Sequence, residues 1–147
     1  MTGRSAIREH VFALLFESLF NEDDRLGEQT EYYFEGLDKP VDDESMEYIR
    51  ERFFQVKEKL PEIDALIEEK STGWKIKRIG KVELSIMRLA VYEMLWDESV
   101  PEGVAINEAV ELAKKYGQDH AGSFVNGVLA KFTEKKKETE ENTGKQE

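Results

Sequence analysis

Cysteine is absent from the 147 residues. That excludes a disulfide scaffold, a thiol nucleophile, a CxxC redox pair and a cysteine zinc site. Histidine is nearly absent. His10 and His120 stand alone, neither pairs at i, i+4, and there is no HExxH, so neither a metal site nor a zinc enzyme is expected. GxGxxG, GxxxxGK[ST] and GxSxG are missing, and with them the fingerprints of nucleotide binding and serine hydrolysis. No cofactor is expected. No apolar run approaches the ~18 residues of a membrane span, and the N-terminus has no signal-peptide apolar region. No membrane association is expected, and the expected address is the cytoplasm. Prolines occur only at 40, 61 and 101, and no Val/Ile-rich alternating run is bounded by turn residues.

What remains is enough for a core. Hydrophobic residues make up 39% of the chain, and a chain of this size buries roughly 70% of its unfolded surface. The formal charge is −11, which taken whole opposes nucleic-acid binding. Its distribution changes that reading. Residues 17–69 hold 18 acids and 6 bases, whereas residues 70–81 hold Lys70, Lys75, Lys77, Arg78 and Lys81 with no acid. A local basic patch can hold phosphate on an acidic protein. An ordinary solvated loop is the plainer explanation of the same lysines.

The periodicity is helical throughout. Ile7, Val11, Leu14 and Leu15 define a first stripe, widened by Phe12, Phe16, Leu19 and Phe20. Tyr32, Tyr33 and Leu37 support a short second helix, which Lys39-Pro40 breaks. Met46, Ile49, Phe53, Val56 and Leu60 mark a regular third, and Pro61 suits the first turn of a fourth. After the break at Ser71-Thr72-Gly73, residues 79–96 are apolar on most faces and should form the centre of the core. Pro101 opens a helix whose inward face is Ala105, Ala109, Leu112 and Tyr116, with Gly117 as its C-terminal cap. Asp119 suits the N-cap of a last helix carrying Phe124, Val128, Leu129 and Phe132. Within it Gly127 suggests close approach of another backbone. The expected fold is all-α, with six or seven helices in one domain over 1–134. Residues 135–147 form a polar tail expected to be disordered.

Nothing demands an enzyme. Acids such as Glu108 and Glu111 share helical faces, which is ordinary solvation. Three features stand out instead. Arg4 and Arg8 lie four apart, so they share a face that could touch phosphate or simply be solvated. Trp74 sits among cations in Gly73-Trp74-Lys75-Ile76-Lys77-Arg78. It could stack on an unpaired base while Lys75 holds phosphate, or pack as a lid over a helix end. Asn126-Gly127 interrupts the last helical pattern with two poor helix formers.

Three blocks, in this order, carry a resemblance: Arg88-Leu89-Ala90-Val91-Tyr92-Glu93, Ala105-Ile106-Asn107-Glu108-Ala109-Val110-Glu111-Leu112-Ala113-Lys114, and Phe124-Val125-Asn126-Gly127-Val128-Leu129. They resemble the NusB family of transcription antitermination factors. Arg4-x-x-x-Arg8-Glu9 followed by Leu14-Leu15-Phe16 resembles that family's opening helix more loosely. The resemblance implies two packed helical subdomains, about 1–70 and 71–134. It implies a non-enzymatic factor that binds boxA RNA, a single-stranded element of ribosomal RNA transcripts, together with the ribosomal protein NusE. The transcription elongation complex would be its setting. The implied RNA contacts are Arg4, Arg8, Phe124 and Asn126, joined by Lys75 from the basic segment. The implied partner contacts are Arg78, Glu83 and His120, where His120 replaces an acid common in the family. A protein–protein module or homodimer without direct RNA readout is the alternative.

Overall fold

The computed structural model describes the backbone of residues 2–145 and the side chains of residues 2–133. Among the described residues are seven α-helices and no strand. The helices are α1 (Arg4–Ser18), α2 (Leu26–Glu35), α3 (Asp43–Glu58), α4 (Leu60–Lys70), α5 (Lys81–Trp96), α6 (Glu102–Tyr116) and α7 (Ala121–Lys145). Short 3-10 turns cover Asp23–Arg25 and Ile76–Arg78. The chain forms two compact units, Met1–Pro61 and Glu62–Glu147. The division falls before most of α4, earlier than the expected boundary near residue 70. Two polar ties explain the difference. Asp64 of α4 accepts two hydrogen bonds from Arg88 of α5, and the Lys131 ammonium of α7 donates to the Lys70 carbonyl at the end of α4.

In the first unit α1 packs on α3. Within this packing α1 buries Ile7, Val11, Leu14 and Leu15, and α3 buries the stripe Ile49, Phe53 and Val56. The entry to α3 is fastened by its N-cap. The Asp42 carboxylate accepts hydrogen bonds from the Ser45 backbone N–H (3.0 Å), the Ser45 hydroxyl (2.7 Å) and the Thr2 hydroxyl (3.0 Å). The Thr2 backbone N–H in turn donates to Ser45 Oγ. Bonds from the Ser45 hydroxyl and then its backbone N–H hold the Asp42 carboxyl down to about 2. A depressed carboxylate stabilises the fold above its unfolded value of ~4, and that stabilisation is lost as pH falls toward the folded value. Asp42→Ala is therefore expected to lower the melting temperature by a few degrees at pH 7. The gap between variant and parent should close as pH falls from ~4 to ~2. A gap unchanged across that range in pH-dependent melts would show that the cap does not act through its charge.

Two aromatics expected in the apolar stripes lie outside them. Phe20 falls beyond the end of α1 and is 62% exposed, because the Leu19 and Phe20 N–H groups turn back to the Phe16 and Glu17 carbonyls. Tyr32 faces solvent and donates its hydroxyl to Glu28 one turn earlier on α2.

In the second unit α5 is the core helix, as its pattern predicts. Every residue from Leu84 to Glu93 is buried, and α6 and α7 pack on it and on each other. Ala105, Ala109 and Leu112 of α6 face inward as expected, but Tyr116 does not, and Ala113 is buried instead. Gly117 ends α6, with φ −87° rather than the left-handed value common at helix ends. Its small size is the requirement: a Cβ there would stand 2.5 Å from the Ala121 Cβ and 2.7 Å from the Ala113 carbonyl oxygen. The left-handed residue in this connection is His120, with φ +73°. It, rather than Asp119, immediately precedes α7. Gly127 does not serve close approach, since a Cβ there would meet nothing within 4 Å. The α7 backbone continues past 134 to Lys145 through good helix formers, Glu and Lys. Residues 135–145, expected as part of a disordered tail, thus continue the α7 backbone; their side chains and residues 146–147 lie outside the described residues.

Among the described residues no helix is long and apolar enough to cross a membrane.

Candidate nucleic-acid interface

The basic segment is a shaped loop between α4 and α5. Ser71 donates its hydroxyl to the Ile67 carbonyl, closing the last turn of α4. Thr72 (φ +36°) and Gly73 (φ +82°) then take left-handed conformations and reverse the chain. A non-glycine residue rarely adopts that region, so Thr72 must be held there. The holding group is Lys131, whose ammonium donates to the Lys70 carbonyl (2.9 Å) and to the Thr72 hydroxyl. Beyond the reversal, the Ile76 N–H donates to Glu68 Oε1 at 2.9 Å. Ile79 is then buried and α5 begins.

Between these two anchors stands Trp74. Half of it is exposed, and its ring meets Phe124 of α7 edge-on, with centroids 6.2 Å apart and planes at 71°. Trp74, Arg78, Glu83, His120 and Phe124 line one groove of about 570 Å³. Its wall carries both signs of charge, since Lys81 and Asp119 also reach it. Such a surface can place phosphate, stack an apolar ring and accept a polar partner side by side.

Of the expected contact residues, Arg78, Glu83, His120 and Phe124 are thus brought together. Lys75 is exposed next to Trp74, outside the groove wall. Asn126 is exposed on α7, also outside it. Arg4 is the exposed first residue of α1, and Arg8 lies one turn on, half-buried, both in the first unit. His10 is engaged internally: its Nδ1 lies 2.6 Å from the Tyr33 hydroxyl, and burial pulls the imidazole below its ordinary value against the raising effect of Glu9. Lys131 and Glu68 carry no sequence motif. Only the Ser71-Thr72-Gly73 break marks the place they serve.

The model of the NusB family matches residues 5–134. The chain belongs to the NusB family. The transcription antitermination protein NusB of Agathobacter rectalis is 54% identical over 129 residues, which are 88% of this chain and 98% of that protein. The solved NusB of T. maritima is similar with a TM-score of 0.78 at 37% identity, covering 88% of this chain and 89% of that one. A structure of the antitermination factors NusB and NusE in complex with double-stranded RNA is similar with a TM-score of 0.75 at 31% identity, covering 86% and 92%.

The blocks that carry the NusB resemblance divide physically into core and surface. Arg88–Glu93 is wholly buried, so it serves packing. In Phe124–Leu129, Val125, Val128 and Leu129 are buried, while Asn126 and Gly127 are exposed and Phe124 half-buried. Helical spacing sorts one short block into a buried face and a solvent-facing one.

Proposed function

We infer that the chain is a transcription antitermination factor that binds boxA-type RNA together with NusE and promotes processive transcription of ribosomal RNA operons. It acts within the transcription elongation complex, in the cytoplasm, by binding rather than by catalysis. The observation that carries this reading is the groove of the second unit, where an exposed aromatic, cations and acids converge. RNA contact falls to Arg4, Arg8, Lys75, Phe124 and Asn126, and partner contact to Arg78, Glu83 and His120. The charge distribution supports a division of labour. An acidic chain with small basic spots binds RNA weakly alone, and a basic partner supplies the remaining attraction. Unpaired bases expose readable edges, which favours single-stranded RNA.

The test is a gel shift with boxA RNA, its scrambled sequence and the corresponding duplex, each with and without purified NusE. A complex that needs both boxA and NusE is expected. Equal affinity for the scrambled strand would overturn sequence reading. A dimer by light scattering that neither RNA nor NusE disturbs would favour the homodimer. If this chain neutralises about three phosphates, log K falls with log salt at a slope of about −2. Arg4→Ala with Arg8→Ala should weaken binding and flatten its share of the slope to about −0.7, with circular dichroism unchanged. An unchanged slope would make these arginines ordinary surface cations.

A further inference from the structure

We propose that Trp74 is a base-stacking residue of the RNA site, and that Lys131 and Glu68 are the positioning residues that hold it there. This rests on the RNA-binding reading above.

A tryptophan that serves only as a lid over a helix end has its apolar surface covered, but half of Trp74 is open. Its contact with Phe124 is edge-on at 71°, so the two rings form a corner rather than a closed sandwich. A base laid on the open part of the indole would find Phe124 beside it and the Lys75 ammonium one residue along the chain for its phosphate. Stacking on an aromatic face is how unpaired bases are held, and it tolerates any base identity. Specificity must then come from elsewhere in the complex, and Trp74 contributes affinity.

The loop fixes where this ring stands. Trp74 follows two left-handed residues, one of them a threonine. Left alone, Thr72 would relax toward the right-handed or extended regions and swing Trp74 away from Phe124. The Lys131 ammonium prevents this by bridging Lys70 and Thr72, 61 and 59 residues away in sequence. Glu68 holds the far side through the Ile76 N–H. A cation at the C-terminal end of α4 is also favourably placed against the helix dipole. Lys131 therefore spends its charge inside the protein. It acts on RNA through Trp74, without touching phosphate itself.

The experiment labels the full chain with 5-fluorotryptophan and follows ¹⁹F NMR on adding NusE and then boxA RNA. The two tryptophans give two resonances, assigned with Trp96→Phe. The Trp74 resonance should shift on RNA addition and the Trp96 resonance should not. Trp74→Ala should weaken RNA binding by on the order of tenfold, and Trp74→Phe by less. Lys131→Met should weaken binding severalfold with the salt slope unchanged, and Lys131→Arg should restore it. A complex that forms while the Trp74 resonance stays still overturns the stacking role and leaves the antitermination reading intact. A salt slope reduced by about 0.7 in Lys131→Met would make Lys131 a direct phosphate contact and overturn its positioning role. If the parent chain forms no RNA complex with NusE, the functional reading fails and this proposal with it.

Discussion

Asp64→Ala is expected to destabilise the second unit by about 3–5 kcal/mol. The reason lies in what it leaves behind. Arg88 sits in the middle of α5 with its side chain 9% exposed, donating through Nε and Nη2 to the two Asp64 oxygens at 2.9 and 2.8 Å. Removing the carboxylate strands a largely buried guanidinium that cannot be deprotonated. The pair itself contributes less than its breakage costs, because desolvating both charges offsets much of their attraction. The double variant Asp64→Leu with Arg88→Met should therefore be much closer to the parent than Asp64→Ala. Urea unfolding followed by circular dichroism measures all three. A loss below about 1 kcal/mol in Asp64→Ala would mean that Arg88 reaches water easily and that the tie does not hold α4 to the second unit.

The comparable prediction for the first unit concerns Phe53. Its side chain is 0% exposed, between Ile49 and Val56 on the buried stripe of α3. Truncation to alanine removes a large apolar group and leaves a cavity that two helices cannot close, at a cost of about 3–5 kcal/mol. Its neighbour Phe54, 42% exposed, provides the control, and Phe54→Ala should change stability by less than about 0.5 kcal/mol. Denaturant melts of the pair should differ accordingly. Equal effects would show that the α1–α3 contact is not the core of this unit.

This pair of phenylalanines also shows how much of the fold is legible in the sequence. The spacing of Met46, Ile49, Phe53 and Val56 selects Phe53 and leaves out Phe54, because helical periodicity alone decides which face is apolar. The same logic places α5 at the centre of the second unit. It fails at helix ends. Phe20 and Tyr116 continue apolar patterns, yet both stand where the helix stops or the neighbouring surface runs out. Glycine is misread for a related reason. Gly127 looks demanding because it interrupts a helix, but open space surrounds it, whereas the crowding is at Gly117.

The candidate site was half legible. Phe124, Arg78, Glu83 and His120 follow from the NusB resemblance, and the groove brings all four together. For Trp74, an aromatic among cations is compatible with a stacking ring and with a lid over a helix end alike. Its half-exposed ring against Phe124 favours the surface role. Lys131 and Glu68 were invisible, since a lysine and a glutamate on helices look like solvation until a partner is seen.

The sequence by itself determined the helices, the inner faces of α3, α5 and α6, the segregation of charge and the family. These are local properties, or ordered blocks, that 3.6-residue periodicity and residue identity record directly. Tertiary structure alone decided that α4 belongs with the second unit, that Trp74 meets Phe124, and that Lys131 holds the loop between them. Each of those depends on which side chains from distant helices arrive at the same point, and no spacing along the chain encodes that meeting.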